Sequence, residues 1–321
     1  MSTDNQYTFP IEYMLEAVQN SLPKMVSIDL FSGIDKGLQN EIKLIDKDGN
    51  LTDTARVSPM GQVYLSVSFC QFLLIMCHVG LYVHDSIAVR NEIEHMTKQE
   101  LEQFHRELEV DCDETRYLKA LSDYKSTLTY CSRLIDIAKP LLLHRTITQQ
   151  EFDSLVNNID YKSQLSAKAN SLCVFGIVFL LLHEASHVIL DQDLYDNGTI
   201  EEELEADHNA FWAMYSDLTD KERYTAMVGC LCALTSLLFI NPNLEPDGIH
   251  PREDIRLFTF YDLLKDERTA YTEIIVILLA AWATVSEKED FPVLDNSYEE
   301  TLNRQRAYLK ELGDKNESEH K

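Results

Sequence analysis

Residues 166–190 read SAKANSLCVFGIVFLLLHEASHVIL, and this stretch decides the fold. It contains few helix breakers, and no charged residue lies between Lys168 and His183. An apolar run of this length is typical of a helix that is buried on most of its surface. We therefore predict a central, buried helix whose polar end must find partners inside the protein.

Helical patterns flank this segment. Two capping boxes, each a threonine followed three residues later by a glutamate, predict that helices begin after Thr97 and Thr199. We expect the first of these helices to reach residue 110 and the second to reach residue 216. Apolar periodicity predicts further helices, and a proline in the first turn is typical of another that opens at His250-Pro251; these helices cover residues 113–138, 222–239, 250 onward and 270–285.

The first 60 residues have a mixed pattern. We expect a short strand at residues 26–30, and the sequence DKDGN at residues 46–50 predicts a turn that joins two short strands. From about residue 63 the pattern is helical. The sequence therefore predicts a mainly α-helical fold with a few short N-terminal strands.

The composition limits the classes of partner. The chain has 321 residues and a net charge of −26, from 54 acidic and 28 basic residues. Such a surface repels phosphate groups, so we expect no nucleic-acid partner and no binding to anionic lipid. Simple solubility explains the charge, and a basic protein partner or substrate is the alternative.

The cysteines and apolar runs bear on localisation. There are seven cysteines, an odd number without a Cys-x-x-Cys pair, which favours reduced thiols in a cytoplasmic protein. The N-terminal residues do not resemble a secretory signal. Four apolar runs, at residues 63–83, 172–182, 225–240 and 274–283, are interrupted or shorter than a membrane span, so we interpret them as buried helices. Membrane contact is the alternative.

Residues 183–187 read His-Glu-Ala-Ser-His within the buried helix. Two histidines four residues apart project from one helix face, so both imidazoles can reach one ion. Glu184, next to the first histidine, can then act on the attacking water. This pattern predicts a zinc site held by His183 and His187, whereas two solvated histidines at a helix end are the alternative.

A catalytic zinc ion needs a third protein ligand. On the next predicted helix, Ile200, Leu204, Phe211 and Met214 define an apolar stripe, and Glu203 and Asp207 fall on or beside it. We therefore predict that Glu203 is the third ligand, with Glu205 or His208 as fallbacks. Asp207 is placed to accept a hydrogen bond from a ligating histidine and so orient it. A solvated acidic face is the alternative.

These motifs carry a resemblance. His-Glu-x-x-His followed by Glu-x-x-Ala-Asp at residues 203–207 resembles the gluzincin metallopeptidases. His250-Pro251 followed by Arg256 resembles the His-Pro-x-x-x-x-Arg motif of the CaaX-prenyl and heat-shock endopeptidases. The arrangement is most like the Lit-type phage-exclusion peptidases, which cleave a host translation factor. The resemblance covers about residues 166–264 and implies a zincin-like helical domain.

The domain organisation follows. We expect a single domain over residues 1–321, with an N-terminal accessory part at about 1–160 and a catalytic helical core at about 161–290. The charged tail from about residue 311 to 321 is predicted to fray.

We expect a zinc endopeptidase that acts on a protein or peptide substrate. Glu184 serves as general base, and His250 stabilises the oxyanion from the start of a helix. Arg256 pairs with Asp207, with Glu203 or with substrate. The alternatives are a helix cap for His250 and an ion pair with Glu253 for Arg256. For the whole protein, the alternatives are a regulatory or structural zinc module without turnover and a membrane-associated endopeptidase.

Overall fold

The structure is a computed structural model of the chain. It describes residues 18, 43–45, 55–57, 63–109, 122–143, 164–189, 199–216, 218–246, 248, 250–293 and 297–319. The strand predicted at residues 26–30 and the turn predicted at residues 46–50 lie outside this part of the chain.

The described part is mainly α-helical, which confirms the predicted fold class. The helices with described bounds are α1 (Val67–His95), α2 (Lys98–Glu107), α3 (Tyr124–Ala138), α4 (Gln164–Ile189), α5 (Ile200–Tyr215), α6 (Asp220–Ile240), α7 (Glu253–Leu263), α8 (Thr269–Val285) and α9 (Tyr298–Glu319). Short 3-10 turns follow α3 and α7, at Lys139–Leu143 and Lys265–Glu267.

Three short strands form one sheet at the N-terminal side of α1. They are β1 (Lys43–Ile45), β2 (Ala55–Val57) and β3 (Val63–Ser66). β3 lies in the middle, parallel to β1 and antiparallel to β2. The strands on either side of the predicted turn are therefore not hydrogen-bonded neighbours. The helix expected from residue 63 begins at Val67, because the four residues before it pair in the sheet.

Side-chain caps fix the starts of several helices. Both predicted capping boxes are present, at Thr97 and Thr199, and a third lies at Thr219 before α6. Of the helix expected over residues 113–138, residues 113–121 lie outside the described part of the chain. The described helix α3 begins at Tyr124, where the Asp123 side chain accepts from the Ser126 backbone N–H. The helix expected at His250-Pro251 begins at Glu253, so the proline lies outside the helix.

Helix α4 is the centre of the fold and packs against α1, α5 and α6. Its contact with α6 is close because two glycines face each other. A Cβ on Gly176 would lie 2.9 Å from the Gly229 carbonyl oxygen, and a Cβ on Gly229 would overlap the carbonyl oxygen of Leu172. This backbone approach fixes α4 seven residues before His183.

Residues 311–319, which lie in the segment predicted to fray, are helical. Helix α9 continues through Glu319 and packs against α7 and α8. Leu309 and Gly313 are buried in this contact. The charge of the segment predicted exposure to solvent. The residues that its apolar side chains and its acids contact lie on other helices.

Three described helices are long and apolar enough to cross a membrane, by length and composition. They are α1, residues 167–187 of α4, and α6. Polar end residues make α4 and α6 longer than the apolar runs read from the sequence. More than half of each apolar window is buried inside the protein.

The glycine contact yields a stability prediction. We expect Gly229→Ala to lower the free energy of unfolding by roughly 2 kcal/mol, because the added methyl group forces α4 and α6 apart. Urea denaturation of the metal-free protein measures the change.

Gly80→Ala on α1 is the matched control. Its Cβ would lie 3.0 Å from the Cys232 sulfur, a side-chain atom rather than backbone, and alanine favours the helix. We expect a smaller loss than for Gly229→Ala. Equal stability of the two variants would contradict the close helix contact.

Candidate metal centre

Two neighbouring helices bring the candidate ligands together. His183 and His187 lie one turn apart near the end of α4, and Glu203 lies in the first turn of α5. The capping box at Thr199 fixes the start of α5 and therefore the height of Glu203 along its axis. His183 and Glu203 are buried, and His187 is largely buried.

The donor atoms form a small triangle. The Nε2 atoms of His183 and His187 are 3.3 Å apart. Glu203 places one carboxylate oxygen 3.3 Å from His183 Nε2 and the other 3.3 Å from His187 Nε2. For bonds of roughly 2.0–2.1 Å in tetrahedral geometry, ligand atoms lie about 3.3 Å from one another. The triangle therefore fits an ion of the size of zinc.

The carboxylate of Glu203 supports the same conclusion. Its Oε2 atom is buried and accepts no hydrogen bond from the described residues. Burial acts to raise the pKa of Glu203, but the two histidines outweigh it and hold the pKa well below its usual range. A buried, ionised carboxylate with an unused lone pair is costly unless a cation binds it.

Asp207 and Arg256 orient the first histidine. Asp207 lies one turn after Glu203, and its Oδ1 is 2.9 Å from His183 Nδ1. The Arg256 guanidinium donates two hydrogen bonds of 2.7 Å to the same carboxylate. All three side chains are buried. Because Asp207 accepts from Nδ1, His183 Nε2 is left to face the candidate ion.

The charges around His183 favour a cation. Burial and the charge of Arg256 act to lower the pKa of His183, but Asp207 and Glu203 outweigh them and raise it to about 9. Burial also acts to raise the pKa of Asp207, yet Arg256 and His183 hold it well below its usual range. The centre therefore has a negative potential.

Glu184 lies beside the triad on α4. Burial raises the pKa of this carboxyl, and the neighbouring histidines partly oppose the shift. A carboxyl group whose pKa is raised above its usual value is better suited to take up and release a proton. Its place next to His183 in the motif puts it within electrostatic reach of all three candidate ligands.

His250 approaches the centre from the segment before α7. Its Nε2 is 3.9 Å from Glu203 Oε1, and 53% of its side chain is exposed. The cap position of α7 is occupied by Arg252, so His250 is not the helix cap that the sequence left as an alternative. Arg256 pairs with Asp207, which is one of the pairings that the sequence left open.

The comparison with known families agrees with a hydrolytic site. Residues 63–276 match the family model described as Peptidase U49, which is two thirds of the chain. The chain belongs to the Peptidase U49 family. No curated protein and no solved structure gave a significant match.

The Peptidase U49 match includes every residue of the candidate centre, from His183 to Arg256. A peptidase acts on a protein or peptide, so the substrate class follows from the family. The match ends within α8, and α9 lies beyond it.

In this Peptidase U49 chain, the two residues predicted as fallback ligands lie away from the candidate metal centre. Glu205 and His208 are exposed, and His208 Nε2 accepts a hydrogen bond from Trp212. The apolar stripe that we predicted for α5 is only partly correct, because Ile200 is exposed and Leu204 is half-buried. Small residues such as Ala206 and Ala210 fill the buried face instead.

One contact at the centre was missed by the sequence analysis. Asn209 on α5 donates a hydrogen bond of 3.0 Å to the Ser186 hydroxyl on α4, and Ser186 is buried. The bond joins the two helices that carry the ligands, next to His187. No local pattern indicated it, because the partners are 23 residues apart.

The triad predicts metal binding by specific residues. We expect the wild-type protein to bind one equivalent of divalent metal, and His183→Ala and Glu203→Ala to abolish it, because each removes one corner of the triangle. Titration with Co²⁺, followed by its visible absorption, measures the binding.

Glu205→Ala is the matched control, since it removes an exposed carboxylate from the same helix and keeps the centre intact. We expect it to bind the metal like the wild type. Unchanged binding in Glu203→Ala, or equal loss in Glu205→Ala, would exclude the triad as the site.

Proposed function

We propose that the chain is a zinc-dependent endopeptidase that hydrolyses peptide bonds in a protein substrate. One observation carries the proposal: His183, His187 and Glu203 converge beside Glu184. Their side-chain nitrogen and oxygen atoms lie 3.3 Å from one another. Membership of the Peptidase U49 family supports a peptidase activity. The two nitrogens and one oxygen are the donor set typical of a catalytic zinc site.

Glu184 is the general base of the proposed reaction. A zinc ion held by the triad would acidify the attacking water and polarise the peptide carbonyl. Glu184 takes the proton from this water as the new C–O bond forms. It then gives the proton to the leaving amine as the C–N bond breaks, so the carboxylate is regenerated.

His250 is the proposed donor to the oxyanion. Its Nε2 lies at the edge of the triad, and its exposed ring can meet a substrate that enters from solvent. A hydrogen bond to the developing negative charge stabilises the transition state more than the ground state. Asp207 and Arg256 contribute by holding the His183 ring in one orientation.

The motif resemblance supports a role in phage exclusion, defence or stress regulation, as in the Lit-type peptidases. The acidic surface supports a substrate or partner that is not a nucleic acid. Six described cysteines are free and buried, which supports a reducing, cytoplasmic environment.

Glu184→Gln tests the proposed chemistry. The amide keeps the shape of the side chain but cannot accept the proton, so we expect proteolysis to fall by roughly 10²–10⁴-fold while zinc binding is retained. New N-termini produced in cells expressing the wild type or the variant, followed by cleavage of the identified sequence in vitro, measure the loss.

Glu205→Gln is the control with the same chemical change at an exposed position. It is expected to keep full activity. If Glu184→Gln cleaves as fast as the wild type, the chain is a zinc-binding module or uses another base, and the proposed mechanism is wrong.

A membrane-embedded endopeptidase is the second candidate, because three described helices have the length and composition of membrane spans. The two candidates differ in how the protein is extracted from lysed cells. We expect extraction into aqueous buffer without detergent, since most of these apolar residues are buried against one another. Recovery that requires detergent and survives high salt and alkaline washing would favour the membrane enzyme.

A further inference from the structure

The segment that carries His250 is held from outside the metal centre. It joins α6 to α7 and runs from Asn241 to Arg252. Burial does not fix the imidazole of His250, because half of its side chain is exposed. Anchoring of the two ends of the segment therefore helps to set its position.

One end of the segment is anchored at Arg252. The buried guanidinium donates to both oxygens of Asp254, at 3.1 and 3.3 Å, and its Nη1 donates to Asp314 on α9 at 2.9 Å. Glu317 lies 3.9 Å from the same nitrogen. At position 313 any Cβ would overlap the guanidinium, so Gly313 forms a cradle for it.

The other end of the segment is anchored by the same helix. The Asn316 side chain on α9 donates a hydrogen bond to the backbone carbonyl of Asn243. The Asn243 side chain in turn accepts from Lys288, at 3.0 Å. Two consecutive parts of α9, Gly313-Asp314 and Asn316, therefore hold the segment at two separate places.

Helix α7 transmits this contact towards the centre. Arg252 and Arg256 are four residues apart, one at the cap of α7 and the other in its first turns. The first guanidinium binds α9, and the second binds Asp207 on α5. The start of α7 is thus fixed between the C-terminal helix and the candidate metal centre.

We propose that Gly313, Asp314 and Asn316 form a C-terminal clamp that positions His250 for catalysis. Arg252 and Asp314 are positioning residues, since they act through His250 and do not touch the candidate ligands. The inference rests on the proposed role of His250. The clamp lies beyond residue 276, where the Peptidase U49 match ends, so membership of the family does not predict it.

Two substitutions on α9 release the clamp without touching the centre. Asp314→Ala removes the partner of Arg252 Nη1 from a half-exposed position, and Gly313→Ala fills the cradle. Glu311→Ala is the matched control, because it removes an exposed acid from the same helix two residues before the cradle. Each change is made in the full-length wild type and in His250→Ala.

Three measurements follow on the zinc-loaded proteins. Hydrogen exchange of residues 241–256 reports the order of the segment directly. Metal content shows whether the triad still binds zinc. Steady-state cleavage of the substrate identified with Glu184→Gln gives kcat and KM separately.

We expect both clamp variants to keep one zinc ion, because the ligands lie on α4 and α5. Exchange of residues 241–256 rises, and kcat falls roughly 10- to 100-fold with KM changed by less than about threefold. Adding Asp314→Ala to His250→Ala lowers kcat by less than about twofold, because the residue that the clamp positions is already gone. Glu311→Ala matches the wild type, and Asp314→Glu restores most of kcat.

The proposal of a clamp is wrong if hydrogen exchange of residues 241–256 is the same in Asp314→Ala and Glu311→Ala. Its catalytic role is wrong if exchange rises but kcat does not fall, or if kcat falls equally with and without His250. Failure of the proposed function gives a different result, namely a zinc-loaded wild type that cleaves no protein. In that case the exchange measurement alone decides whether α9 holds the segment.

Discussion

The buried carboxylate of Glu203 between two imidazoles is the constraint on which the rest of the structure depends. An ionised carboxylate removed from water is unfavourable unless positive charge or strong donors compensate it. The fold supplies this compensation at one place, where the end of α4 meets the start of α5. The glycine contact between α4 and α6 sets the position of one helix, and the capping box at Thr199 sets the other. The triangle of candidate ligands is the result of both.

The same argument extends to the shell around the triad. Asp207 is a second buried carboxylate, and it is compensated by a fork of two hydrogen bonds from Arg256. Arg256 is itself a buried cation, so the part of α7 that carries it must be held firmly if both hydrogen bonds to Asp207 are to persist. Four residues earlier, at the cap of α7, a second guanidinium, that of Arg252, binds Asp314 on α9. Charge compensation therefore reaches from the centre of the fold to its last helix.

How much of this was readable from the sequence depended on the distance between partners along the chain. The histidine pair, the capping boxes and the position of Glu203 follow from helical spacing, which is local. Glu203 was predicted as a ligand because it lies on or beside an apolar stripe that included Ile200. Ile200 is exposed, whereas the charged Glu203 itself lies on the buried face of α5. The contacts Asn209–Ser186 and Asp314–Arg252 have no local signature. Asp314 in particular resembles any solvated acid until α7 is packed beside it.

The long apolar helices can be judged by the direction in which their side chains point. A membrane span exposes large apolar residues to lipid around most of its outer surface. Among the described residues, the exposed large apolar side chains are few and scattered over different elements; they are Ile137, Ile200, Trp212, Ile240, Ile255 and Val293. In α1 the buried residues lie mainly between Val67 and Val83, and the rest of the helix is largely polar and exposed. The large apolar side chains of the described helices therefore face mainly inward, around the candidate metal centre.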